Sequence, residues 1–207
     1  MGWIGKAGRW IASDIRNRGW LPTLYMLIAH GIALVRGFLF KLMYPNNLEG
    51  ALFSLQRNSS IEIFHRQAKV RVGRFAFIRK NVSIRVDHSG ELVIGDKVFI
   101  NDNCNINCVG RIQIGEYTKI APNVCINDHD HNYKLDGGGH LLLGEVRIGK
   151  HVWIGAGAVV LRDTTIGDYA VIAAGSIVKG EVAPHTLYYN KREPSHKAIR
   201  ASGGAAR

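Results

Sequence analysis

Residues 148–183 read IGKHVW IGAGAV VLRDTT IGDYAV IAAGSI VKGEVA, hexad after hexad without a break. An aliphatic side chain opens each hexad: Ile148, Ile154, Val160, Ile166, Ile172 and Val178. Four places on sits a small or β-branched residue: Val152, Ala158, Thr164, Ala170, Ser176 and Val182. A helix repeats every 3.6 residues and a plain strand every 2. A strict period of six requires a chain that turns a corner once per hexad, which announces an all-β solenoid of the parallel β-helix kind. Hairpin-linked sandwich strands recur at about 8–12 residues, which is too long for this spacing.

The same frame extends upstream. Ile94, Ile100 and Ile106 keep step, with Val98 and Cys104 at the small positions. Two extra residues intervene, and Ile114, Ile120 and Ile126 resume with Thr118 and Val124. Gly or Asn often follows the aliphatic residue, as at Gly95, Asn101, Asn107, Gly115, Asn127, Gly149, Gly155 and Gly167. These residue types tolerate positive φ best and are expected to form the corners. Strands are expected from Ile61 onward, irregularly at first. The frame then jumps from Ile126 to Ile148, so residues 127–147 (NDHDHNYKLDGGGHLLLGEVR) are read as an excursion loop. Chemistry tends to sit on such loops.

At 207 residues the chain is one domain with appendages. Residues 1–45 read as an amphipathic helical region, 60–200 as the β-helix with a basic C-terminal segment, and 201–207 as a flexible tail. The formal net charge is +11, which suits anionic partners such as membrane headgroups or phosphorylated ligands. No basic platform interleaved with aromatic residues points to nucleic acid. Cys104, Cys108 and Cys125 lack metal-binding spacing, and Cys104 falls on an inward position. Scattered unpaired thiols suit a reducing compartment.

The first 45 residues carry Lys6, Arg9, Arg16, Arg18, Arg36 and Lys41 against one acid, Asp14, together with Trp3, Trp10 and Trp20. A break is expected between Gly19 and Pro22. The apolar run from Leu24 to Val35 is too short to span a bilayer. Two readings stand: a segment lying in the headgroup plane, or a helical cap over the open end of the solenoid. No stretch reads as a secretory signal. The expected location is cytoplasmic, with peripheral contact at the inner face of the cytoplasmic membrane.

The stretches IGEYTKIAPNVCINDHDHNY and VRIGKHVWIGAGAVVLRDTTIGDYAVIAAGSIVKGEVAP resemble the hexapeptide-repeat acyltransferases. The similarity is to the sugar O-acetyltransferase branch, which includes maltose, galactoside and nodulation acetyltransferases. It covers residues 70–200 and leaves 1–60 uncovered. It implies a left-handed β-helix, a homotrimer with sites between subunits, and acetyl-CoA as donor with no metal. The implied reaction is transfer of acetyl to a sugar hydroxyl of a surface polysaccharide or its lipid-linked precursor. Two alternatives are a free small acceptor (serine, an antibiotic or a soluble sugar) and a metal site like that of the γ-class carbonic anhydrases, using His129, His131, His140 and His151.

The resemblance also implies roles. His131 follows Pro122-Asn123-Val124-Cys125-Ile126 by the interval of the family's catalytic histidine. Imidazole suits removal of a hydroxyl proton near neutral pH. His129 lies two residues earlier and in an extended segment would point the same way, as a second base or a substrate contact. Asp128 and Asp130 either hold an imidazole tautomer or solvate the loop. Asn101 and Asp102 match the substrate-side position, or simply form a corner. Trp153, Gly155, Ala156, Ala173 and Ala174 match the donor groove, with the Ala156 N–H as an oxyanion donor. Lys179, Lys197 and Arg200 are candidates for the CoA phosphates. The family's further acid is missing at Cys108-Val109-Gly110.

Overall fold

The computed structural model describes residues 3–50, 52–133 and 139–191. Three parallel ladders stack along one axis, and the chain visits them in turn. The first holds Leu48–Gly50, Lys69–Val72, Glu91–Ile94, Arg111–Ile114, Glu145–Ile148 and the later halves of Val159–Ile166 and Ile177–Val182. The second holds Ser54–Leu55, Phe77–Ile78, Phe99–Ile100, Lys119–Ile120, Trp153–Ile154, Val171–Ile172 and Leu187–Tyr188. The third holds Ser60–Ile63, Ser83–Val86, Asn105–Cys108, Cys125–Asn127 and the opening halves of Val159–Ile166 and Ile177–Val182. The chain leaves the first, second and third ladders at the first, second and third edges.

The hexad reading holds inside the solenoid. Ile154, Val160, Ile172 and Val178 are fully buried, as are Ala158 and Ala170 at the small positions. All belong to one continuous core. An inward polar residue is satisfied locally: Thr118 Oγ1 donates to Gly149 O at 2.8 Å and accepts from Val152 N at 3.1 Å. Cys104 is buried packing as expected, and burial pushes its thiol up to about 11.

The corner assignment needs correction. Positive φ falls three residues after the aliphatic, not one. Asn58, Asn81, Asn103, Asn123, Gly157 and Gly175 take it on the second edge. Tyr117, His151, Tyr169 and His185 take it on the first edge, where their rings stack at 4.8–4.9 Å. Gly155 is small for another reason: a Cβ there would lie 2.5 Å from Ala174 N in the next coil. From the second coil on, every change in coil length falls on the third edge, at residues 87–90, 109–110, 128–144 and 161–163.

The solenoid starts at Leu48, earlier than the hexads reveal. Gly50 stands in register with Val72, Ile94 and Ile114, so the first coil lacks that inward aliphatic. Phe53 fills the gap, 2% exposed, and a Cβ on Gly50 would lie 3.3 Å from its ring.

Two helices precede this coil, α1 (Trp3–Arg18) and α2 (Trp20–Met43). They break at Gly19, with φ 89°, as expected. Asp14 lies buried at the joint, paired with Arg18 at 3.1 Å and receiving Thr23 Oγ1 at 3.4 Å. Pro22 is tolerated because the first turn of a helix needs no N–H there.

The apolar helix is longer than the Leu24–Val35 run implied. The 24-residue α2 contains an 18-residue window of mean hydropathy 1.6 and is long and apolar enough by length and composition to cross a membrane. Its polar residues do not interrupt it, because they face the solenoid. Arg36 Nη2 donates to Ser59 O at 3.0 Å, Lys41 Nζ donates to Gly50 O at 2.8 Å, and His30 meets the edge of Phe77 at 5.4 Å. Gly37 lies directly over Phe53, where a Cβ would sit 2.5 Å from the Phe53 carbonyl. The cap reading of residues 1–45 therefore holds for α2.

Phe53→Ala should open a cavity at this lid and lower stability by about 3–5 kcal/mol. The urea midpoint should fall with little change in m. Leu52→Ala, half exposed beside it, should stay within about 1 kcal/mol.

Candidate functional site

The excursion is a hairpin rather than a plain loop. His129–His131 pairs antiparallel with Leu141–Leu143, in the register His129↔Leu143 and His131↔Leu141. Asn127 still pairs in the third ladder with Asn107, and the solenoid resumes at Glu145. The excursion therefore spans 128–144, slightly less than expected. Residues 134–138 lie outside the described residues. Alternation along the strand puts His129 and His131 on one face of the hairpin and Asp130 on the other.

Asp128 anchors the hairpin. Its carboxylate is fully buried. It accepts Val109 N at 2.9 Å, Gly110 N at 2.9 Å and lies 2.9 Å from His129 Nδ1. A buried carboxylate requires such donors. The two amides come from the third-edge turn one coil earlier, at Val109-Gly110 beside Cys108, where the family's acid is missing. The buried Cys108 thiol lies against the same carboxylate, and burial together with that negative charge pushes its pKa far up. With His129 Nδ1 donating to Asp128, the ring's lone pair sits on Nε2.

Asp130, on the opposite face, pairs with Arg162 Nε at 2.8 Å in the following coil. The hairpin is thus pinned to the coil before it and the coil after it. Of the two acids left open by sequence, Asp128 holds the imidazole and Asp130 the scaffold. No local sequence pattern points to Arg162 or to the Val109 and Gly110 amides. The His131 ring is exposed and makes no hydrogen bond among the described residues.

The other sequence-derived residues fall into two groups. Asn101, Asp102, Gly155, Ala156, Ala173 and Ala174 line the second edge, and the exposed Trp153 stands on the second ladder beside it. Asp102 is engaged in holding the corner, pairing with Arg79 Nε at 2.9 Å and accepting Lys80 N at 3.1 Å. Asn101 Oδ1 accepts Asp102 N at 2.8 Å. The Ala156 N–H sits on an exposed turn with no partner among the described residues. Lys179 leaves the third ladder on the third edge, with His129 and His131. Lys197 and Arg200 lie outside the described residues.

The two groups occupy opposite ends of the third-ladder strands, which at four residues span about 13 Å. One chain does not bring them together. His151 belongs to the ring stack on the first edge, away from His129 and His131. Among the described residues no three His, Cys, Asp or Glu side chains gather into a metal-holding group.

Residues 145–180 match the family model described as bacterial transferase hexapeptide (six repeats). Nodulation protein L of Rhizobium meliloti (strain 1021) is 41% identical over 98 residues, covering 46% of this chain and 52% of that protein. A probable acetyltransferase of Mycobacterium tuberculosis is 31% identical over 122 residues, covering 56% of this chain and 40% of that protein. The chain spans about half the length of the curated relatives it matches. Among solved structures, a mutant of AntD, an N-acyltransferase from Bacillus cereus in complex with dTDP and coenzyme A, superposes with a TM-score of 0.62 at 16% identity. That match covers 78% of this chain and 88% of the other and speaks to the fold alone.

Asp128→Ala should leave the Val109 and Gly110 amides unpaired and lower stability by about 2–4 kcal/mol in chemical denaturation. Asp130→Ala removes a partly exposed pair and should cost less than about 1 kcal/mol.

Proposed function

We propose that this chain, whose residues 145–180 match the bacterial transferase hexapeptide model, is an acyl-CoA-dependent O-acetyltransferase acting on a sugar hydroxyl of a surface polysaccharide or its lipid-linked precursor. The observation that carries the reading is the hairpin of paired imidazoles, locked to the solenoid through the buried Asp128. A rigid imidazole at the surface is what alcohol acylation needs, because a hydroxyl attacks a thioester poorly while it keeps its proton. The match to the transferase hexapeptide model and the relative named as a probable acetyltransferase support the transferase class.

His131 is the base in this reading. It keeps the family interval, and its exposed ring is open to an acceptor. It takes the hydroxyl proton, the oxygen attacks the acetyl carbonyl, and the thiolate of coenzyme A leaves and recovers that proton. In this reading the exposed Ala156 N–H of a neighbouring copy stabilises the developing oxyanion. No acyl-enzyme is required, since Cys104 and Cys108 are buried with raised pKa values. A second reading makes His129 the base, favoured by the 2.9 Å contact that fixes its Nδ1 on Asp128.

A base on the third edge and donor residues on the second cannot meet within one chain. A neighbouring copy that lays its second edge against this hairpin completes the site, which supports the trimer with sites between subunits. The outward apolar face of α2 supports residence at the cytoplasmic face of a membrane, and hence a lipid-borne acceptor.

His131→Ala should lower kcat by about 10²–10⁴-fold, followed by thiol release from acetyl-CoA with a saccharide acceptor. The thermal shift given by acetyl-CoA should survive the substitution. A loss confined to His129→Ala would transfer the role to His129. Unchanged turnover in both variants would remove general-base catalysis. Full turnover on serine or a free sugar, with none on lipid-linked saccharide, would replace the acceptor class.

A further inference from the structure

A groove of about 590 Å³ runs between α2 and the first two coils, away from the imidazole hairpin. Tyr25, Ile28, Ile32 and Ala33 of α2 form its apolar wall. Gln56, Arg57 and Lys80, from the second-edge turns of the first two coils, form the other wall, with Arg36 between them. Among the described residues no carboxylate lines it. The Arg57 and Lys80 side chains make no ion pair among the described residues, although acids pair with basic residues over much of the surface. Arg36 Nε and Gln56 Oε1 are buried without a hydrogen-bond partner among the described residues. Orphaned polar atoms of that kind cost about 1–3 kcal/mol each when nothing pairs with them.

The helix that builds the apolar wall has its polarity reversed. A helix on a protein surface normally turns its apolar stripe inward. Here Arg36, Lys41 and His30 face the solenoid, while Leu21, Leu24, Ile28, Ile32, Val35 and Leu39 are about half exposed or more. Contacts from His30 to Tyr44 hold that part of α2 against the body. The part before His30, residues 20–29, is too short to cross a bilayer. Arg16 of α1 is also exposed.

We infer that this groove binds the phosphate of an anionic membrane lipid, with Arg57 and Lys80 on the phosphate and the lipid chains along the outward face of α2. Apolar wall, cationic wall and orphaned donor fit one amphiphile with a phosphate at the join. The inference deepens the proposed function, on whose lipid-borne acceptor it rests. Lys80 neighbours Arg79, which holds Asp102, and the second edge runs on from there through Asn103 and Asn123 to Ala156. Three coil steps of about 4.8 Å make roughly 14 Å. Whatever the phosphate carries would lie along the edge that holds Asn101 and the donor residues.

The test is co-flotation of the full chain with vesicles of phosphatidylcholine alone and of phosphatidylcholine mixed with phosphatidylglycerol. Wild type should float with the mixed vesicles and at least tenfold less with phosphatidylcholine. The double variant Arg57→Ala/Lys80→Ala should lose about thirty-fold in affinity, from roughly 1 kcal/mol per cation near an anionic surface. Arg57→Glu/Lys80→Glu should lose more, and unchanged melting curves for both variants would show intact folds. Turnover with acetyl-CoA and a soluble saccharide should be unaffected, which separates failure of the groove from failure of the acetyltransferase reading.

Wild-type-like flotation of both variants would overturn the inference, as would equal flotation on phosphatidylcholine. A melting shift with inorganic phosphate matching that with vesicles would assign the groove to free phosphate instead. Self-association in buffer, abolished by Ile28→Asp together with all lipid binding, would assign the face to a second copy.

Discussion

The stacking distance between coils governs this structure. Each backbone amide in a ladder pairs with the coil above or below, as in Gly155 N to Ile172 O at 2.8 Å, so successive coils sit about 4.8 Å apart at every corner. That spacing is what the Tyr117, His151, Tyr169 and His185 rings repeat on the first edge. It is why Gly155 has no room for a side chain against Ala174. It also explains why length variation gathers on one edge. A coil can grow only where its neighbours do not require a matching turn, and from the second coil on that place is the third edge.

The imidazole hairpin exploits this freedom at a cost. Chain that leaves the ladder loses the pairing that satisfies it, and the fully buried Asp128 restores it. Its oxygens take two amides left over at the Val109-Gly110 turn, and the same carboxylate lies against the His129 ring. One residue thus closes the wound in the ladder and fixes an imidazole. Removing it disturbs both together, so the stability of the hairpin and the orientation of His129 are not separable properties. The Asp130–Arg162 pair secures the other face, at a site where exposure weakens its contribution.

What the sequence made legible follows from the same physics. Inward positions from Ile94 to Val182 were readable because burial at each corner forces an aliphatic or small residue there. The first coil was not, because Gly50 surrendered its aliphatic to the Phe53 ring, a substitution visible only in three dimensions. The true corner residues were misplaced by two positions. Asn and Gly occur both where φ is positive, as at Asn103 and Gly157, and where coils crowd, as at Gly155, and composition does not distinguish the causes. The pairing of the two histidines was legible by spacing. Which ring Asp128 holds depends on amides nineteen and eighteen residues away in the chain, and no local pattern records them.

The length of α2 was hidden by its charges, and the reason extends to its function. The first coil has no coil before it, so carbonyls such as Gly50 O and Ser59 O need donors from elsewhere. Lys41 and Arg36 supply them. A helix that turns its cations inward to cap a ladder must carry its apolar residues on the outside, since the two faces of one helix cannot both point at the solenoid. Trp20, Ile28, Val35 and Leu42 are all more than half exposed for that reason. An apolar face of that extent marks a site for an apolar partner. The capping of the solenoid, and the lipid contact proposed above, would both follow from one choice of helix face.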